Sequence, residues 1–65
     1  MSARIFTGHV IAKPGKGGLE VVPGTLEALK DEAWKRAEER LGMERAALER
    51  DHGYGLTSVE VWSLP

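Results

Sequence analysis

Cysteine is absent from the 65-residue chain, which removes disulfides, thiolate metal sites, iron–sulfur clusters and thiol nucleophiles together. Aromatic residues are scarce: Phe6, Trp34, Tyr54 and Trp62 are the whole complement. No apolar run approaches the ~18 residues that a membrane span requires. The N-terminus has no basic stretch followed by an apolar signal region, so a cytoplasmic location and no membrane partner are expected. Charge of one sign is also lacking. The net charge is -1 and the sequence pI is about 6.1, whereas a protein that neutralises phosphates carries a basic stripe and a high pI. Nucleic acid is therefore not the expected partner.

What remains is 42% apolar and 29% charged residues in 7.1 kDa, the composition of one small globular domain over residues 1–65. A domain of this size buries only roughly 60% of the surface its unfolded chain exposes. Small domains without disulfides or metals often compensate by associating. Self-association is thus the leading expectation for partners.

Residues 3–13 are rich in β-branched side chains and free of proline, and Pro14-Gly15-Lys16-Gly17-Gly18 follows as a dense turn signal. Leu19 to Val22 resumes strand composition, so a five-residue hairpin loop is predicted, ended by Pro23. Thr25 is placed to cap a helix with its hydroxyl, and Glu27 suits the positive end of the helix dipole. The spacing predicts a helix over 26–41. Leu26, Leu29, Ala33, Ala37 and Leu41 form its apolar stripe with Trp34 at the edge, and Gly42 is its left-handed stop. A short second helix over 43–50 is read from strong helix formers. Asp51 to Gly55 is a turn cluster, and residues 56–64 alternate as a final strand.

The fold class is therefore α+β: a β-β-α-(α)-β domain whose three-stranded sheet is covered on one face by an amphipathic helix. Right-handed crossover geometry permits the last strand to lie parallel beside the first. Exposed edges rich in Ile, Val and Phe would invite pairing with another copy.

No catalytic constellation emerges. The serines stand in no nucleophile elbow and have no base nearby in sequence, and the adjacent carboxylates of the long helix point to solvent. His9 and His52 lack metal-ligand spacing. The chain reads as a non-enzyme with no metal and no cofactor. Its candidate interface is Val59, Val61, Trp62 and Ile5, where an outward tryptophan would mark a contact surface. Candidate ligand contacts are Trp62, the Lys16-Gly17 loop, and His52 with Tyr54 in the glycine-rich turn. They would suit a small molecule, an anion, nucleotide or flavin-like compound held between subunits.

In running a hairpin, a Pro-Gly and then a helix opening on Thr25-Leu26-Glu27, the chain is similar to HicB-like antitoxins, although that family's longer strand region before the helix is missing. This resemblance implies a regulatory partner-binder. In size and in a tryptophan on a strand it is similar to dodecins, which implies a flavin-storing oligomer, although the dodecin order is β-α-β-β.

Overall fold

The computed structural model describes the backbone of residues 4–63 and the side chains of residues 6–61. Three strands and two helices follow in the order β1 (Arg4–Gly15), β2 (Gly18–Val21), α1 (Lys30–Leu41), α2 (Arg45–Arg50) and β3 (Gly55–Ser63). The α+β arrangement read from the sequence is the one observed. β1 is the central strand, with sheet order β2-β1-β3 and both pairings antiparallel.

The permitted parallel placement of the last strand is not adopted. β3 starts with Gly55 opposite Ala12 and runs back until Ser63 stands opposite Arg4. The direction of β2 explains this: it runs antiparallel to β1, so the chain passes Glu27 opposite His9 on its way toward the start of β1, and the helical connection returns it to the Ala12 end, from which β3 runs parallel to β2 and antiparallel to β1. Gly42 is the predicted stop: its φ of 66° is left-handed, and its N–H donates to Glu38 O at 2.8 Å.

The hairpin is tighter than predicted. Strand pairing continues to Gly15 opposite Gly18, so only Lys16 and Gly17 form the turn. The start of α1 is the larger correction. Residues 26–29 are not helical, because the Glu27 backbone is engaged elsewhere: His9 N–H donates to Glu27 O (2.7 Å) and Glu27 N–H to His9 O (3.0 Å). A backbone that bonds sideways to a strand cannot also form the first helical turn. The N-cap falls on Leu29, which offers no side-chain bond. Consequently the segment shared with HicB-like antitoxins, Thr25-Leu26-Glu27, opens no helix here.

Thr25 acts on the sheet instead of on the helix. β2 pairs with β1 as far as Val21 opposite Ala12, and the Val22 N–H then donates to Ile11 O. Pro23-Gly24 carries the chain away and it returns at Glu27. That excursion leaves the Ile11 N–H without a strand partner. The Thr25 hydroxyl fills the gap, accepting from Ile11 N–H at 3.1 Å and donating to Val22 O at 2.7 Å. Thr25 is fully buried, and no buried side-chain polar atom among the described residues lacks a partner.

The core gathers Ile11, Val22, Ala33, Trp34, Ala37 and Leu48, with Leu41, Met43, Tyr54 and Leu56 packed around it. Trp34 is a central member, not an edge residue, and the Arg45 guanidinium lies 4.7 Å above its ring. Leu26 and Leu29, assigned to the helix stripe by periodicity, remain exposed. No helix among the described residues is long and apolar enough to cross a membrane.

Candidate functional site

Antiparallel pairing sorts every strand residue onto one of two faces, since directly opposed residues project to the same side. Ile11 and its partner Leu56 belong to the helix-covered core, so their face is the inner one. It also carries Thr7, His9, Lys13, Glu20, Ser58 and Glu60 by register. Lys13 and Glu20 confirm the sorting, with Nζ and Oε2 3.7 Å apart.

The other face is chemically different. By register it holds Phe6, Gly8, Val10, Ala12 and Pro14 of β1, Leu19 and Val21 of β2, and Gly55, Thr57, Val59 and Val61 of β3. Leu26 joins them, because its Cδ1 lies over Gly8. From Phe6 to Val61 none of these residues is charged, and the register pair Arg4 and Ser63 falls on the same face at the far end of the sheet. Val10 and Ala12 are buried at its centre, while around them Phe6 is 46% exposed, Leu19 58%, Val21 49% and Leu26 44%. Soluble domains usually leave one face of an antiparallel sheet open, but they make that face polar. Here the open face is the apolar one.

Gly8 shows how closely this surface is built. A Cβ at that position would stand 2.5 Å from Leu26 Cδ1 and 3.4 Å from Val61 Cγ2. Only the absence of a side chain lets Leu26 fold down onto the sheet beside Val61.

Of the interface residues expected from sequence, Val59 and Val61 are half-buried members of the open face. Ile5 and Trp62 form a register pair whose positions belong to the inner face. Their side chains lie outside the described residues. The expected ligand contacts are distributed differently. Lys16 and Gly17 form the exposed hairpin tip, and His52 is exposed in the turn before β3. Tyr54 packs against the core, and Lys13 Nζ sits 5.2 Å from its ring centroid, so one ring face is already occupied.

One pairing was not legible in the sequence. His9 Nδ1 and Ser58 Oγ, 49 positions apart, lie 2.9 Å from each other on the inner face. The strand register between β1 and β3 makes this contact. A nucleophilic serine needs such a base, but it also needs an orienting group for the base and donors for an oxyanion. The nearby carboxylate of Glu27 faces Arg36, Oε1 to Nε at 3.3 Å. The contact links the exposed inner-face rims of β1 and β3. Among the described residues no group of three or more His, Asp or Glu could hold a metal ion. A shallow groove lined by Pro23, Gly24, Arg36, Glu39 and Arg40 lies apart from every expected site residue.

No protein-family model matches the chain, and neither the curated proteins nor the solved structures contain a match to it.

Proposed function

We propose that the protein is a non-enzymatic, self-associating module whose apolar sheet face is covered by the same face of a second copy. The observation that supports this reading is the absence of any charged residue from Phe6 to Val61 on that face, together with its four half-exposed large apolar side chains. Their exposed apolar surface is on the order of 350 Å², within the range of the largest patches on monomers, which are often interaction sites. Burying it on two copies withdraws on the order of 700 Å² of apolar surface from water, which is the favourable contribution to association. A second copy suits the surface because an apolar patch without charge is complementary to itself.

Substitution within the patch tests the proposal. Leu19→Glu and Val21→Lys alter exposed positions on the short edge strand, so neither disturbs the helix-covered core. Size-exclusion chromatography with light scattering is expected to show the parent chain as a multimer and both variants as smaller species with unchanged circular dichroism. Identical masses for parent and variants would contradict it.

A further inference from the structure

A second surface carries an inference of its own: the outer edge of β3. This strand runs from Gly55 to Ser63 without proline and contains one charged residue, Glu60. Its pairing with β1 has a fixed phase. The backbone groups of His9 and Ile11 point toward the β2 side, where they bond Glu27, Val22 and Thr25. The even-numbered residues of β1 therefore bond β3, through Gly55, Thr57, Val59 and Val61. Leu56, Ser58, Glu60 and Trp62 are left with N–H and C=O groups directed at the free edge. Proteins usually blunt such an edge with proline, a bulge, a short strand or charged side chains, and of these β3 has the single charge of Glu60.

We infer that the β3 edges of two copies pair antiparallel about a two-fold axis at Val59. Three features select this register. Val59 is the midpoint of Gly55–Ser63, so centring there pairs the whole strand. It sets Ser58 opposite Glu60 of the partner subunit, where hydroxyl and carboxylate can bond. Centring on Glu60 would instead oppose two carboxylates, which destabilises a strand pair. The phase also agrees: the residues with free edge groups fall opposite one another, Ser58 against Glu60 and Leu56 against Trp62. The product is a six-stranded sheet in which the apolar faces of both copies merge into one surface.

The inference takes from the proposed function only the identity of the occupant, a second copy, and uses a different surface. Two perpendicular two-folds, one through the edge and one between faces, close to a tetramer with no open apolar face.

Single cysteines in this cysteine-free chain read the register directly. Val59 would face its symmetry mate in a non-hydrogen-bonded pair with Cα atoms about 4.5 Å apart, inside the roughly 4.4–6.8 Å range of disulfides. Val59→Cys is expected to form a covalent dimer under mild oxidation. Thr57→Cys and Val61→Cys should cross-link with each other when mixed and far less when alone. A bond formed by Ser58→Cys or Glu60→Cys in preference to Val59→Cys would overturn the register, and no bond at any position would overturn the edge pairing. A second comparison is independent of cysteine. Ser58→Glu and Ser58→Lys both replace the hydroxyl that meets His9, but only the first opposes Glu60 of the partner subunit with like charge. The glutamate variant should dissociate several-fold more readily at low salt, and equal affinities would count against the pairing. A multimer dispersed by Leu19→Glu but indifferent to these edge changes would retain the proposed function and refute this inference alone.

Discussion

Replacing Thr25 with valine tests whether the Pro23-Gly24 excursion depends on one hydroxyl. Valine has nearly the same shape, so the substitution leaves packing intact and removes only the group that bonds Ile11 N–H at 3.1 Å and Val22 O at 2.7 Å. Ile11 is fully buried and Val22 nearly so, so water cannot replace the lost partner. An orphaned buried donor or acceptor costs ~1–3 kcal/mol. Two such orphaned groups together come to about 2–6 kcal/mol. A single core of this size supplies only ~3–5 kcal/mol, so most of the stability is at stake. Urea unfolding followed by tryptophan fluorescence, at one fixed protein concentration because association also stabilises, should show the midpoint collapse with an unchanged slope. Thr25→Ser keeps the hydroxyl and should fall between parent and valine variant. A Thr25→Val midpoint equivalent to less than about 0.5 kcal/mol of loss would refute the reasoning.

Two further outcomes follow from the sheet. Gly8→Ala should destabilise by about 1 kcal/mol because its Cβ displaces Leu26, and the same change in a Leu26→Ala background should become neutral or stabilising, as measured by a double-mutant cycle. If the His9–Ser58 contact is structural, the chain should hydrolyse p-nitrophenyl acetate no faster than its Ser58→Ala variant; a clear rate difference between them would contradict the non-enzymatic reading.

The order of elements was legible because it rests on local signals: β-branched runs, the Gly42 stop and the turn cluster at Asp51 to Gly55. The misread parts were decided at a distance. Thr25 and Glu27 carry good helix-start chemistry, but His9 and Ile11 claim their hydrogen bonds across 14 to 18 positions, and no local propensity reports that competition. Leu26 fits a helical stripe equally well by spacing, yet it rests on Gly8 because Glu27 bridges to His9 and residues 26–29 are not helical. The alternation of β3 was readable, whereas which of its faces meets the helices depended on the register with β1. The same register created the His9–Ser58 contact, which sequence spacing cannot show. Val59 and Val61 were identified as interface candidates from alternation alone. The remaining members of the open face became a set only once β2 and β3 were placed on either side of β1.

Sedimentation velocity on the unmodified chain, over a dilution series from about 100 μM to 1 μM, addresses the covered-face claim most directly. The account predicts a species of at least twice 7.1 kDa that gives way to the single chain on dilution, if at all, only at the low end. A folded particle of 7.1 kDa throughout the series would mean that the apolar face stays open to water, and would contradict it.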